Sequence, residues 1–219
     1  MSKILICGFP HCGTTILKSI IGHIDEVDEM INESTIIDKK TDKKYILCKT
    51  PFTFQTYFED KYKEYIKIFI VRNPLFVFSS LNKRFNYKLS RGHTITDYIN
   101  TVKLFIDLEK NPRDNVYTIR YEDLFPNHFE KLRTMLDNIG FNYTDDIFDN
   151  TKYKNEANIG TKLLTNKPLN IHHSVYRTWQ INQPFVSNNE PSKIDLLEEQ
   201  RNELMDNTYI LTIYPEIKN

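Results

Sequence analysis

The sequence predicts an α/β fold: a three-layer α/β/α domain around a central parallel sheet. Three observations lead there. Four short apolar runs of β character, Lys3 to Gly8, Tyr45 to Cys48, Ile66 to Val71 and Asn115 to Ile119, recur before residue 120. None alternates cleanly between apolar and polar residues, so each reads as a strand covered on both faces, which is how parallel strands are buried. Between them lie segments with apolar residues at helical spacing, and strands alternating with helices make βαβ crossovers.

Taken in order, Lys3 leads directly into Ile4-Leu5-Ile6-Cys7, so the fold is expected to start at residue 3 with no room for a signal peptide. Thr14 to His23 carries Ile16, Leu17, Ile20 and Ile21 on one helical face. Phe76 to Phe85 and Thr96 to Glu109 follow the same logic, with Thr94 or Thr96 as N-cap. Asn127 to Ile139 reads as a helix stopped by Gly140. Beyond Gly140 the pattern weakens. Asn150 to Asn189 is rich in Asn, Lys and Thr without a sustained period, and reads as a long, partly irregular excursion of the kind that often carries function. A last amphipathic helix, about Ser192 to Asn207, precedes Tyr209 to Tyr214, which is strand-like or a helix end. With no internal repeat and no low-complexity tract, residues 1–219 read as one domain.

Composition narrows the function. At 40% apolar and 26% charged residues the chain is globular rather than disordered. Its 29 basic residues balance 29 acidic ones, so no global field would hold a nucleic acid or an anionic membrane, and binding is expected in a pocket. Cys7, Cys12 and Cys48 form neither a CxxC pair nor a disulfide framework, which suits a reducing, cytoplasmic setting. Ile66 to Leu81 is the best candidate for a membrane span, but Lys67, Arg72 and Pro74 interrupt it. No His, Cys, Asp or Glu spacing suggests a metal site.

The most informative segment is Gly8-Phe9-Pro10-His11-Cys12-Gly13-Thr14-Thr15. It follows the first strand and opens a helix, the setting in which a glycine-containing loop wraps backbone N–H groups around phosphate at a helix N-terminus. The spacing is that of a P-loop, yet Thr14 holds the position of the lysine that reaches the β and γ phosphates of a triphosphate. Cys12 also invites a cysteine-phosphatase reading, but six residues on stands Lys18, which lacks the bidentate fork of an arginine. Two further segments follow later strands. Arg72 at a strand end and Ser80 on the next helix can converge on one anion. Arg120-Tyr121-Glu122-Asp123-Leu124 is a polar cluster at an edge where α/β folds bind ligands.

Together these segments resemble the PAPS-dependent sulfotransferase family over about residues 3 to 140. Gly8 to Thr15 is similar to its 5'-phosphosulfate loop, G-x-P-[KR]-S-G-T-T. Cys48-Lys49-Thr50-Pro51 is similar to a second motif, whose lysine stands near the sulfuryl group. Arg72-Asn73-Pro74 with Ser80 resembles the 3'-phosphate motif R-[DN]-P-x5-S, and Arg120 to Leu124 the R-Y-E-D-L segment, whose tyrosine lies near adenine. Tyr176-Arg177-Thr178-Trp179 and the final helix faintly echo the family's C-terminal R-W segment and closing helix.

The resemblance implies a P-loop-like nucleotide-binding topology, PAPS as cofactor with PAP as product, and a small-molecule or glycan acceptor. It assigns PAPS binding to Pro10, His11, Cys12, Gly13, Thr14, Thr15, Arg72, Ser80, Tyr121 and Arg177, and catalysis to Lys49, His11 and Glu33. There are departures. His11 stands where the loop usually has Lys or Arg, so the charge must be met by Lys49, by protonated His11, or by both. Pro51 replaces a histidine that some soluble members use as base, which directs attention to the acids Asp25, Glu26, Asp28, Glu29 and especially Glu33. No R-K-G segment for the 3'-phosphate is visible near the C-terminus. The competing classes are a small-substrate P-loop kinase and a non-catalytic nucleotide-binding protein.

Overall fold

The computed structural model describes residues 1–30, 33–51, 60–149 and 187–218. Five parallel strands form one sheet: β1 (Ser2–Gly8), β2 (Val27–Glu29), β3 (Tyr45–Thr50), β4 (Ile66–Val71) and β5 (Val116–Arg120). Their spatial order is β2-β3-β1-β4-β5. The cores of β1 and β4 are the apolar runs of the sequence, with Ile4, Leu5, Ile6 and Cys7 beside Ile68, Phe69, Ile70 and Val71, all fully buried. Lys67 interrupts the β4 run without leaving the interior; its ammonium donates to the Tyr62 carbonyl at 2.9 Å, and burial lowers its pKa.

The helices are α1 (Thr14–Gly22), α2 (Pro74–Phe85), α3 (Ile95–Lys110), α4 (Pro126–Ile139), α5 (Glu198–Asp206) and α6 (Thr208–Ile213). α1 packs on β1, β2 and β3, whereas α3 packs on β4 and β5. Connections that leave β1 and β4 in opposite directions must lie on opposite faces if each crossover is right-handed. The adjacent ends of β1 and β4 are therefore the switch point of the sheet, where the two following loops part and leave a crevice. Among the described residues no helix is long and apolar enough to cross a membrane.

Two features depart from the sequence reading, and a third settles an alternative it left open. β2 is an additional strand of three residues, Val-Asp-Glu, too short and acidic to register as an apolar run. The expected helix from Ser192 to Asn207 is a 3-10 turn, Pro191–Lys193, then a non-helical stretch before α5. Polar bonds to α2 hold that stretch in place: Asp195 N–H donates to Ser79 Oγ at 2.8 Å, and the Asn82 amide donates to the Asp195 carbonyl at 3.1 Å and, fully buried, to Gln200 Oε1 at 2.8 Å. Of the strand and the helix end expected for Tyr209 to Tyr214, the helical alternative holds: the segment lies largely in α6, which Asn207 caps. At α3 the cap is Thr94, in a reciprocal capping box with Asp97.

Candidate active site

The loop between β1 and α1 is shaped by two glycines. A Cβ on Gly8 would lie 2.3 Å from the Ile70 carbonyl oxygen, so β1 and β4 could not close around any larger residue. Gly13 has φ 98°, and a Cβ there would lie 2.5 Å from the Tyr121 ring. Gly13 is also the N-cap of α1, so the helix opens without a side-chain cap and with no acid in its first turn. Such an end favours an anion. Phe9 and Pro10 are buried, Phe9 with its ring edge-on to Tyr98 at 5.2 Å. Thr14 and Thr15 begin the helix. Cys12 is fully buried, and loss of solvent pushes its thiol pKa well up. A protonated thiol with no access to solvent is no nucleophile, which removes the cysteine-phosphatase reading.

His11 is the hub of the loop, in the left-handed region with φ 66°. Its Nδ1 lies 2.6 Å from Ser80 Oγ, its Nε2 lies 3.4 Å from Arg84 Nη1, and its carbonyl accepts from Arg72 Nη1 at 3.2 Å. Burial lowers its pKa to about 3, reinforced by the positive charges of Arg84, His93, Arg72 and Lys49. The imidazole is thus neutral at working pH, so in this arrangement it does not supply the cation that a lysine or arginine brings to such a loop. Because Arg84 can only donate, Nε2 is the accepting nitrogen and Nδ1–H donates to Ser80.

Beyond the loop, Arg72 follows β4 and is almost fully buried. Its guanidinium lies 4.3 Å from the Tyr121 ring centroid. Nε and Nη2 both donate to Asn189 Oδ1, at 2.8 and 2.6 Å, and Nη2 also reaches the Asn188 carbonyl at 3.3 Å. Asn189 donates to Glu122 Oε1 at 2.7 Å, which also accepts from Asn73 N–H at 2.9 Å. Asn188 N–H donates to the Tyr121 hydroxyl at 3.1 Å. The Asn188-Asn189 segment therefore ties Arg72, Tyr121 and Glu122 together. Tyr121 is only 1% exposed, a floor beneath Gly13 and Arg72 rather than an open platform for a base.

The third part of the site hangs from β3. Lys49 is 3% exposed and donates to Glu33 Oε1 at 2.6 Å. β3 pairs with β1, opposing Lys49 to Ile6 and Thr50 to Cys7, which brings Lys49 to the base of the loop. Glu33 keeps about a third of its side chain in solvent.

Of the residues singled out from sequence, Gly13, Thr14, Thr15, Pro10, His11, Cys12, Arg72, Ser80 and Tyr121 share one neighbourhood, and Lys49 and Glu33 form an ion pair at its flank. Arg177 lies outside the described residues, as does most of the excursion from Asn150 to Asn189. Asp28 and Glu29 belong to β2, where Asp28 pairs with Lys39 and Glu29 with Lys18. Sequence reasoning missed Asn188, Asn189 and Arg84, and placed Glu122 in a ligand-edge cluster without giving it a role of its own. Arg84 was detectable as the residue one helical turn after Ser80; nothing in the local sequence marks the two asparagines.

No family model matches the sequence, and no curated protein matches it. Solved structures do match in fold. Mouse sulfotransferase SULT7A1, complexed with PAP, matches at 15% identity over 100% of this chain and 90% of that one, with a TM-score of 0.61. Retinol dehydratase in a complex with retinol and PAP matches at 14% identity over 98% and 80%, with a TM-score of 0.57. The sulfotransferase domain from the curacin biosynthetic pathway matches at 11% identity over 99% and 97%, with a TM-score of 0.53. The chain has the sulfotransferase fold.

Proposed function

We propose that this protein is a PAPS-dependent sulfotransferase, acting on the hydroxyl or amine of a small-molecule or glycan acceptor. One observation carries the reading: a backbone cradle for phosphate meets a buried lysine paired with a partly exposed glutamate at the carboxyl edge of one sheet. The residues present suit the cofactor. Gly8 and Gly13 leave space only for backbone, α1 opens uncapped toward the cradle, and Arg72 and Ser80 add donors beside it. When bound, PAPS supplies the sulfuryl group and a phosphate leaving group.

The chain's residues then divide the work. Loop amides with Thr14 and Thr15 hold the 5' side, and Arg72 and Ser80 hold the 3'-phosphate. Tyr121 backs both, and Arg177 joins the set by resemblance alone. Lys49, itself almost fully removed from solvent, meets negative charge as it grows on the phosphate side, an electrostatic role. That charge draws the Lys49 ammonium away from Glu33. A carboxylate that loses its cation becomes more basic, so Glu33 can take the acceptor's proton as the new bond to sulfur forms. The retinol bound by retinol dehydratase supports a small-molecule acceptor.

The neutral His11 favours a second reading, a non-catalytic nucleotide-binding protein. A P-loop kinase is disfavoured by Thr14. Thermal shift with PAP, ATP and GTP, followed by mass spectrometry of products from PAPS and pooled acceptors, tests the proposal. Stabilisation by PAP and a product heavier by one sulfuryl group are expected. PAP binding without any product would leave the non-catalytic reading, and preferential binding of ATP or GTP would overturn the sulfotransferase reading.

A further inference from the structure

Arg72 is largely committed to the protein. Four hydrogen bonds join its guanidinium to Asn189 Oδ1, the Asn188 carbonyl and the His11 carbonyl. A guanidinium has five N–H groups, so an incoming phosphate finds about one of them uncommitted. The loop offers no cation of its own, because His11 is neutral. A terminal phosphate carrying close to two negative charges therefore needs a further positive group on this side of the site.

Arg84 meets that need. It follows Ser80 by four residues on α2, and residues so spaced lie on the same helical face. The two side chains flank one imidazole: Ser80 Oγ is 2.6 Å from Nδ1 and Arg84 Nη1 is 3.4 Å from Nε2. Among the described residues Arg84 is exposed, pairs with no carboxylate, and makes no polar contact besides that long one. Its guanidinium otherwise rests over the Phe85 ring. The tautomer that accepts from Arg84 also makes Ser80 an acceptor from Nδ1–H, which leaves the serine's own hydroxyl proton to donate elsewhere. Ser80, Arg84 and the last N–H of Arg72 thus present donors around one small region next to His11.

We propose that Arg84 is a ligand of the nucleotide's terminal phosphate, sharing it with Arg72 and Ser80, and that it sets the preference for a 3'-phosphorylated nucleotide. The inference rests on the PAPS reading and adds a residue that the sequence motifs do not contain. Leaving His11 Nε2 sacrifices only a long, weak bond, while an arginine–phosphate pair is bidentate and charge-assisted.

Isothermal titration with PAP and with adenosine 5'-phosphate, which lacks the 3'-phosphate, tests it on the full chain. Arg84→Ala should weaken PAP at least 10-fold and change adenosine 5'-phosphate less than twofold, while Arg84→Lys recovers part of the loss. Lys83→Ala removes the same charge from the neighbouring exposed position and should leave the preference intact. Equal loss for both nucleotides, equal loss in Lys83→Ala, or a preference for PAP undiminished in Arg84→Ala would each overturn this inference alone. A wild-type chain that binds PAP no better than adenosine 5'-phosphate would overturn the PAPS reading and this inference with it.

Discussion

The two flanks of the crevice hold their cations differently. At the β3 end, Lys49 is buried against a carboxylate, Glu33, so the pair is close to neutral and its charge and proton can be redistributed. At the β4 end, Arg72 is held by an amide oxygen and two carbonyls and Arg84 makes only a long contact to an imidazole, so Arg72 is oriented and, among the described residues, neither charge is cancelled by a direct ion pair. A carboxylate partner prepares a cation to act during a reaction, because the pair must separate for it to do so. Neutral acceptors prepare a cation to bind, because they fix its geometry and keep its field. On the proposed function, the β3 end would serve turnover and the β4 end affinity.

Four measurements would break or sharpen this contrast. Lys49→Met should have the largest effect, lowering kcat by about 10²- to 10³-fold, the scale of losing one charge-stabilising donor. Its PAP affinity should change only a few-fold in calorimetry; a parallel collapse of affinity would make Lys49 a binding residue. Glu33→Gln should lower kcat by roughly 10²-fold, toward the low end for a general base, with PAP binding retained. If kcat is unchanged, the proton goes elsewhere. Arg72→Ala should weaken PAP by about 10- to 150-fold, since a charge-assisted bond contributes ~1.5 to 3 kcal/mol. Equal affinity in wild type and variant would remove Arg72 from the site.

The smallest effect concerns His11 and concerns pH. Its pKa of about 3 lies below the usual imidazole value. In the range between about 6.5 and 3 the unfolded chain binds a proton that the folded chain refuses, so stability contributed by neutral His11 is present above pH 6.5 and lost as pH falls. Thermal melts should show wild type losing on the order of 1 kcal/mol per pH unit relative to His11→Asn between pH 6 and 4. By the same logic His11→Lys should leave any alkaline limb of the activity profile in place. A limb that disappears in His11→Lys would restore the histidine as the titrating cation and spoil the neutral-loop half of the comparison.

Much of this was legible in the sequence because it is local. The buried strands appear as unbroken apolar runs, Ile66 to Val71 matching β4 residue for residue. Gly13 was conspicuous by its P-loop spacing after the first strand, and the structure supplies the reason for a glycine there: a left-handed N-cap packed on the Tyr121 ring tolerates no side chain. The spacing of Arg72 and Ser80 follows from a strand end and two helical turns. Helix breaks between Lys193 and Glu198 were not legible, because long-range bonds to Ser79 and Asn82 on α2 hold that segment open against its own helical pattern.

The sequence by itself determined the layering, the order of the main elements and the loops that carry the site, since these follow from hydrophobic period, capping and turn chemistry within a few residues. Only the tertiary structure decided the charge of His11, the partners of Arg72 and the pairing of Lys49 with Glu33. Each of those depends on groups from distant parts of the chain, Arg84 and Ser80 beside His11, Asn188 and Asn189 on Arg72, and on how far packing removes water from between them. Electrostatics is set by that proximity and desolvation, which no local pattern encodes.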